Sequence, residues 1–247
     1  MKKLGVFYLV FGLFILTACG NKTLSTSNIL KNVEKAHNKI ESVEIKFTET
    51  YEPNGNDTGI EQFNYKNNVG ALTYDNLAVT MYKDSEEFFL LVNGWENPQN
   101  KSIYELKFDN QMNQQHNQIS YLQQFDDKLY QKFDMESNED EYILTYTGDK
   151  EDQLKLVTGI AKEYNESLGI ILGEDVQSTD LTVELLHIKV WIDKDTNRIK
   201  KFQQDMEYSQ FVGGKERNYN QGVVYAYSKY NKMDKIKKPN IATSDGE

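Results

Sequence analysis

The side chains best equipped for chemistry are few in this sequence, and their spacing matches no catalytic or metal-binding pattern. There are three histidines. His37 falls on the apolar stripe of a helical pattern and reads as a partly buried helix residue rather than a base. His116 lies in a Gln/Asn-rich stretch, and His187 stands between Leu186 and Ile188 in a strand-like run. No two of them have metal-ligand spacing, and H-E-x-x-H is absent. Nucleophilic hydrolysis needs a serine or cysteine poised beside a base. No G-x-S-x-G elbow is present, and the single cysteine, Cys19, ends an N-terminal apolar run. Gly213-Gly214-Lys215 is not a phosphate loop, because Ser209 holds the place of the first glycine and Glu216 follows the lysine. Asp193-x-Asp195-x-Asn197 begins like a calcium loop. Arg198, however, stands where the sharp turn needs glycine, and Gln204 where the bidentate glutamate belongs. A hairpin turn explains those residues better. Glu136, Glu139 and Asp140 read as a solvated acidic loop over 136–141. These residues argue against an enzyme and call for neither a metal nor a cofactor.

The N-terminus is a different matter. Lys2 and Lys3 precede an apolar run from Leu4 to Leu16, broken only by Gly5 and Gly12. A membrane-spanning helix needs ~20 residues, so the run is too short. Residues 1–18 read as a secretory signal. Leu16-Thr17-Ala18-Cys19 resembles the lipobox of bacterial lipoproteins. The resemblance implies a thioether to diacylglycerol on Cys19 and cleavage after Ala18. An ordinary signal with an incidental cysteine is the alternative, but the chain's only cysteine stands where the motif requires it. Two acyl chains anchor stably, at ~0.8 kcal/mol per buried CH₂. Residues 19–27 are then the lipidated cysteine and a small, polar tether, which reaches roughly 25–30 Å when extended. The expected location is the outer face of the cell membrane.

Composition narrows the rest. The chain has 247 residues and a formal net charge of −10. No basic stripe stands out, which argues against nucleic acid and against electrostatic docking on anionic lipid. With one cysteine, no disulfide can form within the chain, so the domain depends on its core. Heavy use of Asn, Lys, Ile and Tyr points to an AT-rich genome, such as that of a low-GC Gram-positive.

Periodicity supplies the elements. Ile29, Leu30, Val33, His37 and Ile40 predict a helix over 28–41, capped by Ser27 or Asn28. Val43, Ile45, Phe47, Glu49 and Tyr51 then alternate as one face of a strand. Residues 53–57 read as a turn. Further strands are expected over 60–66, 69–74, 77–83, 87–92 and 102–108. The run Phe88 to Val92 is apolar on both faces and predicts a covered, mid-sheet strand. Ile119 to Phe133 suggests a helix, 142–147 a short strand, and Asp149 the cap of a helix carrying Leu154, Val157, Ile160, Ala161, Tyr164 and Leu168. A hairpin over 181–192 and 199–208, a turn at Gly213-Gly214 and a last strand over 223–230 follow. This order predicts one α+β domain over 28–234, a curved antiparallel sheet (half-barrel) with helices packed on its concave face. Residues 235–247 are expected to be a loose polar tail.

The lipobox, the segment LKNVEKAHNKIESVEIKF (Leu30 to Phe47), the hairpin VWIDKDTNRIKKF (Val190 to Phe202) and a tyrosine-rich final strand leading to IKKP (Ile236 to Pro239) together resemble a family of Gram-positive lipoproteins of unknown function. That family is similar in layout to the LolA and LppX/LprG envelope lipoproteins. The resemblance implies a half-barrel holding a lipid between sheet and helices, with the insert over 110–173 either covering or filling the cavity. The expected lining residues are Ile45, Phe47, Leu90, Val92, Leu186, Ile188 and Val190. Taken singly, each fits a plain packed core better. The alternative function is an envelope protein–protein interaction module without a small ligand, its anchors supplied by tyrosines between Tyr219 and Tyr230.

Overall fold

Ser25 starts the first helix. Its hydroxyl accepts from the Asn28 amide at 3.3 Å, and α1 runs over Thr26–His37. The helix thus begins earlier and ends earlier than its stripe suggests. Ile40 is buried from the turn that follows, where its amide bonds the His37 carbonyl. In this computed structural model, residues 25–52, 55–97, 101–113, 117–172, 178–233 and 235–240 are described.

Six strands follow α1: β1 (Ser42–Glu52), β2 (Gly55–Asn64), β3 (Val69–Tyr74), β4 (Val79–Lys83), β5 (Phe88–Val92) and β6 (Trp95–Glu96). Each pairs antiparallel with the next. The second half is built the same way from β7 (Phe133–Ser137), β8 (Glu141–Tyr146), β9 (Ser178–Asp193), β10 (Ile199–Val212) and β11 (Lys215–Ser228). The first and last strands, β1 and β11, pair antiparallel and join the two meanders into one sheet. Its order is β6-β5-β4-β3-β2-β1-β11-β10-β9-β8-β7, and its two edges do not meet. Register shifts between β9 and β10 near Lys201, Tyr208 and Phe211 mark bulges, which bend and twist a strand.

This topology places the helices. The chain leaves the sheet at one edge, β6, and re-enters at the other, β7, so the segment between must cross a face. It does so as α2 (Lys101–Asn113), α3 (Gln118–Gln123) and a 3₁₀ turn (Leu129–Gln131). Phe108, Met112, Ile119, Leu122 and Leu129 all enter the same core as Ile45, Phe63, Leu72 and Leu90 of the sheet. Phe108 lies 5.8 Å from Phe63 and 5.9 Å from Phe88, ring centre to ring centre. Lys83 of β4 pairs with Asp109 at 2.7 Å and Glu105 at 3.0 Å, which fixes α2 laterally. The last helix, α4 (Lys150–Leu172), packs on β9. Asp149 caps it as expected, accepting from the Glu151 and Asp152 amides.

Several expectations change. Residues 102–108 alternate like a strand but begin α2, because Phe108 and Met112, one helical turn apart, are the buried pair while Leu106 faces solvent. The helix expected over 119–133 breaks up. The Asp126 carboxylate accepts from the Lys128 amide, a local bond that competes with helix, and Phe133 opens β7 instead. The acidic loop over 136–141 is mostly a hairpin, in which Asn138 accepts from the Asp140 and Glu141 amides. On α4 the buried stripe is Leu156, Val157, Ala161 and Asn165, whereas Leu154 is exposed; the Leu168 side chain lies outside the described residues.

Strand β5 is covered on both faces, yet it lies one short strand from the sheet edge rather than mid-sheet. Phe88 and Leu90 join the main core. Phe89 and Leu91 form a second cluster with Tyr82 on the opposite face, and Ile236 of the C-terminal segment packs against it. Lys238 sits over the Phe89 ring at 4.7 Å and pairs with Glu87. The described part of the tail is therefore not loose, because that outer apolar cluster needs a cover.

Candidate functional site

Register aligns the inner side chains into rows across the sheet, since residues directly opposite share a face. One row runs Tyr227, Ile45, Glu61, Leu72, Met81, Leu90. The next runs Val190, Phe202, Tyr225, Phe47, Gly59, Tyr74, Val79, Val92. A third runs Ile188, Gln204, Val223, Glu49, Asp57, and a fourth Leu186, Met206, Gln221, Tyr51, Gly55. All seven expected lining residues thus fall on one face, in four neighbouring rows.

Packing differs along these rows. The first is closed: α1 lies across it, with His37 edge-on to Tyr227 and Tyr230. The Ile199 amide donates to His37 Nε2 at 3.3 Å, and the Tyr230 hydroxyl donates to the Ile199 carbonyl at 2.5 Å. His37 is a buried structural residue. Of the expected lining set, Ile45, Phe47, Leu90, Leu186, Ile188 and Val190 are buried in the main core, and Val92 is half-buried. Toward the β1–β2 connection the packing loosens. Val223, Glu49, Tyr74 and Tyr225 keep accessible surface, and Tyr51 is exposed.

Tyr225 is the informative residue. Burial pushes its hydroxyl well up, yet the residue is partly accessible. Tyr74 and Glu49 on the same face are likewise raised by burial and partly accessible. These residues mark a loosely packed end of the inner face. The Phe47 ring forms part of the floor. It lies over Gly59, where an added Cβ would come within 2.4 Å of its Cζ, and Tyr74 packs edge-on to it at 5.0 Å.

The wall beside this floor is polar. The Tyr51 hydroxyl donates to Glu49. Burial pushes the Glu49 carboxyl up, opposed by that hydrogen bond and reinforced by the charges of Glu61 and Asp57. Burial likewise raises the hydroxyls of Tyr51, Tyr74 and Tyr225, with Glu49 adding to each, so they are neutral at physiological pH. Asp57 Oδ1 accepts from the Thr58 and Asn76 amides. The site can hold apolar groups against Phe47, Tyr74 and Val223, and hydrogen-bond donors against Glu49 and the tyrosines. The sequence alternation already put Glu49 and Tyr51 on the face of Ile45 and Phe47; what it lacked was Tyr74 and Tyr225 from distant strands. Tyr219, Tyr225 and Tyr227 pack on the inner core, so they do not form an outer docking surface.

Other candidates resolve differently. His187 Nδ1 lies 3.2 Å from Asp205 Oδ2 on the opposite face, and no hydroxyl bonds the ring among the described residues. Asp193 Oδ1 accepts from the Thr196 amide and hydroxyl, closing the β9–β10 turn, with Asn197 at φ 53°. Among the described residues, no three His, Cys, Asp or Glu side chains converge as metal ligands would. A cleft of about 400 Å³ at the start of α4 is lined by Asp126, Lys132, Asp152 and Lys155, whose charges pair with one another. The signal, Cys19, most of the tether and His116 lie outside the described residues. No described helix is long and apolar enough to cross a membrane.

An open, curved antiparallel sheet with helices laid across one face defines the class, a half-barrel of the layout expected from the sequence. The chain belongs to the family of unknown function DUF6612, which it matches over residues 25–245. It is similar in structure to the lipoprotein LppX of Mycobacterium tuberculosis, at 13% identity and a TM-score of 0.41, covering 86% of this chain and 98% of that one. A LolA-superfamily protein of Nitrosomonas europaea is similar at 10% identity and a TM-score of 0.24, with 83% and 92% covered. No curated protein matches the chain.

Proposed function

We propose that this protein is an extracytoplasmic lipoprotein, anchored through diacylglycerol on Cys19, that binds a lipid or other hydrophobic ligand between sheet and helices and catalyses no reaction. The observation that carries the reading is that Tyr225, Tyr74, Val223 and Glu49, on the covered face of the sheet, keep accessible surface beside the closed core. Ligand pockets are typically concave, mostly apolar and set with a few polar groups. Here Phe47, Val190 and Ile188 form the packed floor, Ile45 and Leu90 back it, and Val92 and Leu186 lie at its margins. The described core runs from Ile29 to Ile236, so the chain from Cys19 onward contains all of it.

The test is native mass spectrometry of that chain, made soluble by Cys19→Ser, followed by solvent extraction. A stoichiometric bound amphiphile is the expected result. A bare mass, together with no saturable uptake of any long-chain probe, would sink the reading.

A further inference from the structure

Two of the three most exposed large apolar side chains among the described residues, Leu77 at 62% and Trp95 at 52%, stand on neighbouring turns. Leu77 lies in the β3–β4 turn, and Trp95 directly follows the Asn93-Gly94 turn of β5–β6. The Asn93 amide donates to the Ala78 carbonyl at 2.8 Å, which ties the two turns together. Apolar residues scattered singly over a surface need no explanation, whereas adjoining ones on exposed tips mark a contact. Resting on the anchor at Cys19, we infer that these two turns insert into the bilayer that holds the chain, with Leu77 and Trp95 as the inserted side chains.

Leu77 is not exposed through looseness. Strand β2 holds its turn from below. The Asp75 amide donates to the Thr58 carbonyl at 2.8 Å, and the Thr58 hydroxyl to Asp75 Oδ2 at 2.9 Å. The Asn76 amide donates to Asp57 Oδ1 at 3.0 Å, and its side-chain amide to the Asn56 carbonyl at 2.7 Å. That set fixes the turn and keeps Leu77 outward. Ala78 follows at φ 49°, in the left-handed region where glycine or asparagine is usual. The turn thus carries an apolar tip and a strained alanine, where the Asn-Gly used at 93–94 would avoid both. Such strain collects at functional sites.

What covers the tips follows from the chain that precedes the first helix. Six residues, Cys19 to Leu24, separate the lipid-bearing position from Ser25. Fully extended, they reach about 20 Å, so the bilayer stays close to the domain. Tethering makes insertion intramolecular, and a contact too weak for a free protein then suffices. Tryptophan favours the membrane–water interface, where its ring is buried and its N–H stays wet. Asp75 and Glu96 on the same turns disfavour anionic lipid, so the contact is apolar. Trp95 faces Val92 across β5–β6 and ends the inner row of Tyr74, Val79 and Val92. Insertion therefore brings the loosely packed end of the inner face against the lipid, not the end closed by α1.

The experiment uses the single cysteine and the two tryptophans of the chain. The chain from Cys19 onward is coupled through that thiol to a maleimide phospholipid in phosphatidylcholine vesicles. Trp191→Phe leaves Trp95 as the only tryptophan. On coupling, Trp95 emission should shift to shorter wavelength, and lipids brominated along the acyl chain should quench it. Leu77→Asp should lose most of that quenching while melting at the same temperature. Emission unchanged by coupling, no quenching by brominated lipid, or equal quenching in the Leu77→Asp chain overturns the insertion. A blue shift that appears in the uncoupled chain as its concentration rises also overturns it, because a second copy then covers the tips. The maleimide supplies the anchor chemically, so failure here leaves natural lipidation and ligand uptake to their own measurements.

Discussion

Glu49 and Asp57 face one another directly across β1 and β2 on the covered side of the sheet, with the Tyr51 hydroxyl bonded to Glu49. Burial and two neighbouring carboxylates hold the Glu49 carboxyl above its usual range. An acid whose folded pKa is raised binds its proton more tightly in the native state. Its contribution is fully present below the unfolded value of about 4.3 and is lost as pH rises through the folded value. Glu49→Gln, neutral at every pH, should therefore raise the melting temperature near pH 8 and leave it close to wild type near pH 4. Thermal melts of both proteins across that range decide the matter, and a Gln variant less stable at the alkaline end contradicts it.

The cluster at the start of α4 predicts the opposite slope. Asp126 is 1% exposed. Burial alone would raise its carboxyl, but Lys132, the Lys128 amide and Lys155 outweigh that and hold it below the usual range. Its contribution is complete above about pH 4 and lost as pH falls through the folded value. Lys132→Met removes the main counter-charge and should cost about 3 kcal/mol or more, because it strands a buried carboxylate. Adding Asp126→Asn should restore much of that. Urea unfolding of the single and double variants measures both effects.

Much of the fold was legible because alternation is a local signal. Strand β3 over Val69–Tyr74 and the β9–β10 hairpin around Asp193 follow directly from their side chains. The segment between β6 and β7 was harder. Its α2 stripe, from Phe108 to Met112, is interrupted by residues that also alternate, so the choice falls to tertiary packing over Gly70, where an added Cβ would meet Phe108 at 2.8 Å. The site was half legible. Glu49 and Tyr51 continue the face of Ile45 and Phe47, but Tyr74 and Tyr225 meet them only through the β1–β2–β3 and β1–β11 registers. Accessibility beside a closed core depends on how far the sheet curls, which no single strand records.

Anchoring is a prediction of its own. Cys19 is the only thiol in the chain and ends the lipobox-like Leu16-Thr17-Ala18-Cys19. Cells grown with an alkyne-tagged fatty acid should label the wild-type protein and not Cys19→Ser, and the variant should leave the membrane fraction. Labelling that survives the substitution refutes the assignment, since no other thiol can carry the lipid.

Gly59 offers a test of the floor itself. The Phe47 ring occupies the space above it, and a Cβ there would fall 2.0 Å from the Thr73 carbonyl oxygen and 2.4 Å from Phe47 Cζ. The first obstacle is backbone and the second a packed ring, so neither gives way without moving β3 or Phe47. Overpacking of this kind costs about 1–3 kcal/mol, or several degrees in melting temperature at roughly 2–4 °C per kcal/mol for a domain of this size. Gly213→Ala is the matched control. It sits in the β10–β11 turn at φ +59° with open space around it, so its penalty is conformational only, of order 1–2 kcal/mol. The two variants separate in binding rather than in stability. Moving Phe47 also moves Tyr74, which rests edge-on against it at 5.0 Å. Gly59→Ala should therefore weaken uptake of a long-chain probe several-fold, while Gly213→Ala leaves it unchanged. Equal uptake by both would mean that the Phe47–Tyr74 pair does not shape the ligand site.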